Sequence, residues 1–383
     1  VTTRPRTRLL TGTLAAALAA IAAAVILPGL LRTSNTSQAL PLRQAGELAL
    51  PGASTRFDYE SLDPGRGLLF IAHLGDSQVI ETDIRTSRVV RVISGLPDVH
   101  GVLVVPALHR VYATATGDNQ MAAIDEDTGR ILHRTPTGDY PDGLAYDPIR
   151  PAIWTTNETG GTETVIDAAT GTVRGTVVLG GETGNVAYDP DGNHGIGQML
   201  ADIQALGQVA VINPATLAIT RRVPLPGCAH DHGLTLDPPD RLAFIACDGN
   251  ARLLTLNLTT WQVTSTSQVG DQPDVLAYDP AAGRLYVAAE SGDLTILDNH
   301  RGHLTVTGRA HLADGSHVVA VDPATHDSYY PIPDGPDGRP VLLIYQPVPE
   351  SPSAAYRPGR QDRAELSGRS AARIPRRSAE GVR

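Results

Sequence analysis

Three histidines and three aspartates recur along this 383-residue chain at a nearly constant interval. Asp58, His100, Asp142, His232, Asp274 and His317, with Gly184 in the fourth position, are separated by steps of 42, 42, 42, 48, 42 and 43 residues. Imidazole and carboxylate groups hold divalent metal ions, bind polar and cationic ligands, and move protons. Packing alone would favour apolar or small residues, because gathered like charges are costly to bury. If the interval brings the six onto one circle, they form a ligand site, and His100, His232 and His317 are its candidate metal ligands. A second series follows about one hairpin later: Thr116, Glu158, Asp248 and Glu290, with His73 one position early. Glu158 and Glu290 share repeats with Asp142 and Asp274, which makes them candidate general bases.

The only two cysteines lie in the most divergent repeat, which opens Pro226-Gly227-Cys228-Ala229-His230-Asp231-His232-Gly233 and whose second strand ends at Cys247. Hairpin pairing about Pro239 sets His230 opposite Cys247, with Cys228 one step further out. A disulfide is the leading expectation for an exported chain. The alternative is a Cys/His metal cluster of Cys228, His230, His232 and Cys247, since residues two apart on a strand share a face. The chain holds no HExxH, paired CxxC or haem-type CxxCH, and no nucleophile elbow, phosphate loop or cofactor fingerprint.

The elements that position these residues are visible as a phrase repeated seven times. It reads PDGLAYDP at 141–148, NVAYDP at 185–190 and VLAYDPAAGRLYVAA at 275–289, with looser copies starting near residues 59, 100, 232 and 318. A fixed period of this size means one supersecondary unit stacked many times. Within a unit, Asp-Pro opens a turn after the first strand, and Asp-x-x-Thr-Gly, as at 125–129 and 167–171, closes the hairpin between the third and fourth. Four short antiparallel strands per repeat are propeller blades, so seven phrases predict an all-β, seven-bladed β-propeller over residues 40–349. The last repeat supplies strands only at His317–Val321, Tyr329–Ile332 and Val341–Tyr345. Glu47–Leu50, orphaned before the first repeat, is expected to complete it and close the ring.

These features resemble the YVTN-repeat β-propeller family. The tetrad behind that name is degenerate here, as Tyr286-Val287-Ala288-Ala289, Trp154-Thr155-Thr156-Asn157 and Val111-Tyr112-Ala113-Thr114. The resemblance covers about residues 42–347 and implies the fold, with no shared reaction. Related seven-bladed propellers include lactonases and metal-dependent lyases, so the fold leaves enzyme activity open.

In a propeller the first strand of each blade lines the axis, so the six ring residues converge at one channel mouth. Gly184 leaves a gap there, read as an opening for ligand. The extra residues of the 48-residue step are expected near Met199–Gly207, as a loop or lid between the second and third strands of blade four.

Arg supplies all 31 basic residues, and the formal charge is −10. Four Arg and no acids lie in residues 1–39, and eight Arg against four acids in residues 350–383, which leaves about −18 on residues 40–349. An acidic body argues against a nucleic-acid partner, which demands a basic stripe. Residues 1–39 read as a signal peptide or membrane anchor: Arg4, Arg6 and Arg8 precede an uncharged run from Leu9 to Leu31. Either way the body is extracytoplasmic: secreted, periplasmic, or anchored to the outer face of the membrane. Residues 350–383 read as a disordered Arg-rich tail. A closed ring predicts a monomer.

Three readings follow. The first is non-catalytic binding of a small molecule, polysaccharide or protein at the mouth. The second is a metal-dependent hydrolase or lyase using the same mouth and a divalent ion. The third is a redox-associated protein in which blade five binds copper or shields a cofactor.

Overall fold

The computed structural model of the chain describes residues 37–349. The expected export segment up to residue 36 and the expected tail from residue 350 lie outside the described residues. Within residues 37–347 the strands form seven four-stranded antiparallel sheets, one per repeat, in the arrangement of a seven-bladed β-propeller. Strands are lettered A to D from the axis outwards. In blade three they are Pro141–Asp147, Ala152–Asn157, Thr162–Asp167 and Val173–Val178.

The turn chemistry is as the residues require. Asp147 Oδ1 accepts the backbone N–H groups of Ile149 and Arg150 after strand A. Asp167 Oδ1 does the same for Ala169 and Thr170 between strands C and D, and Gly171 takes a left-handed φ of 72°. Where Gly is missing from that position, Leu217 and Trp261 adopt the same conformation at φ 58°.

Strand B is sandwiched between neighbouring blades. Its residues in blade five, Leu242–Cys247, are therefore buried on both faces. Strand D lies at the perimeter and alternates, as in Gln262–Gln268. The core is correspondingly divided into seven clusters, one at each junction between consecutive blades around the ring. Trp154, Tyr112, Phe70 and Phe244 are fully buried in them, each large side chain contributing roughly 1.5–3 kcal/mol.

The ring closes as expected, with a longer clasp. Leu42–Ala49 pairs antiparallel with Val341–Pro347, so the last blade is built from both ends of the described chain. Arg43 reaches Gln346 at 2.7 Å. The segment before it continues over blade six, where Gln38 and Arg309 exchange backbone hydrogen bonds. Strand A of the last blade is shorter than expected, only Ala320–Val321.

Two expectations about blade four are corrected. The residues at 199–207 are not an insertion: Gln198–Ile203 is an ordinary strand B, and a four-residue turn leads to strand C, Gln208–Asn213. The extra length lies elsewhere. Eight residues, 190–197, join strands A and B where blade three uses four, and six residues, 225–230, lead into blade five where four lead into blade three. The A–B turn is at the face opposite the mouth, so it forms no lid. Among the described residues no helix is long and apolar enough to cross a membrane.

Candidate functional site

Four ring residues sit at the start of strand A, each in a β-bulge, while Asp58, Gly184 and His317 lie two or three residues before theirs. The A–B register shifts between Val99 and Val102, Pro141 and Leu144, Asp231 and Leu234, and Pro273 and Leu276. The bulges hold His100, Asp142, His232 and Asp274. A bulge bends the strand and re-aims a side chain, which here turns the ring residues towards the axis. Glycine follows three of them for a steric reason. A Cβ on Gly101 would overlap the carbonyl oxygen of Asp142, and one on Gly233 that of Asp274. Neighbouring blades therefore meet backbone to backbone at the mouth.

The expected gap at Gly184 is not there. The backbone of the next blade fills it, with Asp231 O and His232 Cα 2.7 and 2.8 Å from where a Cβ would stand. Gly184 closes the ring by allowing that approach.

The mouth is a polar cavity of ≈ 190 Å³. Asp58, His100, Asp142, His232 and Asp274 line it, together with Glu158, Asp248 and Glu290 of the second series. His317 is buried behind Asp274 and Glu290 and lines an adjoining cleft. Thr116 caps Pro141 O, and His73 packs on Phe57 beside Thr55 and Gln78, away from the cavity.

Sequence reasoning missed Arg56, Tyr140, Gln204 and Gln272, which also line the cavity. Arg56, Tyr140 and Gln272 stand two residues before ring positions, and so does His230. Gln204 is the blade-four member of the second series. Both registers were available in the sequence, but their mixed chemistry hid them.

The polar groups form a nearly closed belt. Arg56 contacts Glu290 Oε1 at 2.6 Å and Asp58 at 3.4 Å, and approaches Asp274 to 4.0 Å. Asp58 lies 3.9 Å from His100 Nε2, and Tyr140 donates its hydroxyl to that nitrogen at 3.0 Å, because His100 Nδ1 donates to Asp98 O at 2.7 Å. On the other side Gln204 donates to Glu158 Oε1 at 2.9 Å and accepts from His232 Nδ1 at 3.1 Å. His232 Nε2 is 3.1 Å from Asp274 Oδ1. His317 Nε2 is 3.8 Å from Asp274 Oδ2, and its Nδ1 is 3.4 Å from Glu290 Oε2, which returns to Arg56.

The charge states follow from this arrangement. Burial disfavours the His232 cation, but Asp274, Asp142 and Glu158 outweigh it and raise its pKa well above the ordinary value. Burial alone would raise Asp274, yet His232, His317 and Arg56 bring it down to about 2. Asp142 is pushed up to about 7 by burial, with Asp58 and Glu158 adding and His100 and His232 opposing. Below the belt, burial raises Asp231 to about 7 and Asp202 well above the carboxylate range. The axis is bridged beneath the belt, where Asn185 Nδ2 donates to the Tyr59 hydroxyl at 2.7 Å.

Asp274, Glu290 and His317 each offer a ligand atom, all within 4.8 Å of one another, so the propeller carries a possible metal-binding triad. Of the three histidines expected to hold a metal, His317 belongs to this triad. His100 and His232 are engaged with Tyr140 and Gln204 instead. In blade five Cys228 and Cys247 form a disulfide, with Cα atoms 5.3 Å apart. That bond consumes both thiols and removes the alternative Cys/His cluster. Asp231, rather than His230, stands opposite Cys247; His230 contacts Asp248 at 2.9 Å and Glu182 at 3.5 Å.

The class that fold and site define is a seven-bladed β-propeller with an acidic polar cavity at one mouth. No protein-family model matches the chain. No curated protein matches it either. Among solved structures it is similar to a chain of hydrazine synthase from Kuenenia stuttgartiensis, at 15% identity, over 73% of this chain and 93% of that one, with a TM-score of 0.63. At that identity the likeness concerns the fold alone.

Proposed function

We propose that this is an exported propeller of the YVTN-repeat kind that binds a small, polar, positively charged ligand at its mouth without transforming it. One observation carries the reading: six carboxylates from four blades line a cavity of ≈ 190 Å³ that holds a single guanidinium, Arg56. Low dielectric and converging acids favour a cation there. The volume suits a compact molecule better than a polymer segment. The repeated phrase supports the family, and the disulfide supports an oxidising compartment.

The test is thermal shift and calorimetry with small ammonium and guanidinium compounds, using neutral polyols as controls. A saturable rise in melting temperature with a cation, lost in Asp58→Asn and Asp142→Asn, is the expected result. No response to any cation, or one unchanged in both variants, defeats the reading.

A second reading, metal-assisted hydrolysis or elimination, is favoured by the Asp274–Glu290–His317 triad. Glu290 would then be a ligand, leaving Glu158 as the candidate base. Turnover of lactones and esters with added divalent metal, abolished in Glu158→Gln, tests it.

A further inference from the structure

We propose that Asp274, Glu290 and His317 form a site for one divalent ion of the manganese-to-zinc series, and that Arg56 is the internal cation that takes the ion's place in its absence. This rests on the mouth being the binding site and names one cation it takes.

The triad alone would be no more than a cluster of acids around an imidazole. His317 supplies the second observation. Its side chain is 1% exposed. Nδ1 faces Gly315 O at 3.1 Å and donates its proton there, which leaves Nε2 as the lone-pair nitrogen. That nitrogen is buried with no hydrogen-bond partner among the described residues, and it lies 3.8 Å from Asp274 Oδ2. A backbone carbonyl that fixes the tautomer while the other nitrogen stays free is how proteins orient a metal-binding imidazole. A separation of 3.8 Å is too long for a hydrogen bond. It suits two ligands sharing an ion, each about 2.0–2.2 Å from it. The belt's other ring histidines have no free Nε2, since that of His100 accepts from Tyr140 and that of His232 meets Asp274 Oδ1 at 3.1 Å.

The donor set selects the ion. One imidazole with two carboxylates mixes borderline and hard ligands, which suits Mn²⁺ through Zn²⁺ better than Mg²⁺ or soft Cu(I). Arg56 meets the same carboxylates, at 2.6 Å from Glu290 and 4.0 Å from Asp274. Among the described residues its guanidinium makes one further ion pair, with Asp58 at 3.4 Å, and its side chain is 43% exposed. A cleft on the blade-two side, lined by Arg56 and Asp98 among others, offers it room and an acceptor. A dication and a guanidinium gathered on the same two carboxylates repel one another, so ion binding and the Arg56–Glu290 contact compete.

The experiment is titration of the purified, disulfide-intact protein with Mn²⁺, read by loss of the free-ion electron paramagnetic resonance signal and by calorimetry. The expected result is one Mn²⁺ per chain, bound at least about tenfold more tightly by Arg56→Gln and at least about tenfold more weakly by His317→Gln and by Glu290→Gln. Circular dichroism and thiol titration confirm that each variant is folded. No saturable binding even in Arg56→Gln overturns the site, as does wild-type affinity in both ligand variants. Weaker binding in Arg56→Gln overturns the exchange. If Mn²⁺ fails while organic cations still stabilise the protein, the metal is wrong and the mouth reading stands; if both fail, the mouth reading is wrong.

Discussion

Of the mouth glycines, Gly233 lies closest to the neighbouring blade, and replacing it tests the construction of the mouth. In Gly233→Ala the new Cβ would overlap the carbonyl oxygen of Asp274, and it would also crowd Ala246 Cβ at 3.1 Å. The overlapping atom belongs to the backbone, so no rotamer relieves it, and the two strands must part by on the order of 1 Å in a close-packed interface. Overpacking of this kind costs about 1–3 kcal/mol, and the upper end applies because the neighbour is immobile. For a propeller of this size that lowers the melting temperature by roughly 3–5 °C. The displaced residue is Asp274, which holds His232 and belongs to the metal triad, so cation binding should weaken together with stability. Gly46→Ala is the control, since its Cβ would meet only Ile344 Cδ1 at 4.0 Å. Melting curves and cation titrations on both variants give the answer. If Gly233→Ala matches Gly46→Ala in both, blades do not meet backbone to backbone at the mouth and the account of the ring is wrong.

Three other outcomes are expected. Reducing the Cys228–Cys247 bond, which links residues 19 apart, should remove about 3 kcal/mol on the loop-entropy model; denaturant curves with and without reductant that coincide would refute this. Stability should decline as pH rises from about 4 to 7, because buried Asp142 and Asp231, both raised to about 7, hold protons in the folded state that the unfolded chain has released. The His232 contribution is likewise full below its unfolded pKa and lost as pH climbs through its raised folded value, whereas the Asp274 contribution is lost only as pH falls from about 4 towards 2. Denaturation measured across pH should show Asp142→Asn and Asp231→Asn flattening the limb between 4 and 7. Finally, deleting residues 37–49 should expose the strand at Val341–Pro347 and shift the protein to larger assemblies on size exclusion, since an unpaired edge templates further pairing.

The fold was legible because each Asp-Pro turn marks the end of a strand A, and its side chain, as at Asp147, caps the following backbone amides. Register on that turn was enough to bring Asp58, His100, Asp142, His232 and Asp274 to one cavity. Spacing alone gave the total of the longer fourth step but not its distribution. The extra residues fell in the A–B turn and in the Cys228 loop, where the pattern has no marker. Gly184 was read as a missing ligand group because a sequence shows what glycine lacks and not what approaches it. Arg56 was invisible for a different reason. It is one guanidinium in a column otherwise occupied by Asp98, Tyr140, Glu182, His230, Gln272 and Gly315, and only coordinates reveal that Glu290, Asp58 and Asp274 converge on it.

Because one blade takes its outermost strand from Leu42–Ala49 and its other three from Ala320 onwards, the circle cannot be completed during synthesis until nearly the whole propeller sequence has emerged. The earliest strand must wait unpaired while some three hundred residues are made, a long delay for contacts so distant along the chain. A nascent or truncated product would therefore carry two raw edges and no finished cavity, which makes ligand binding at the mouth a report that the last strands have arrived.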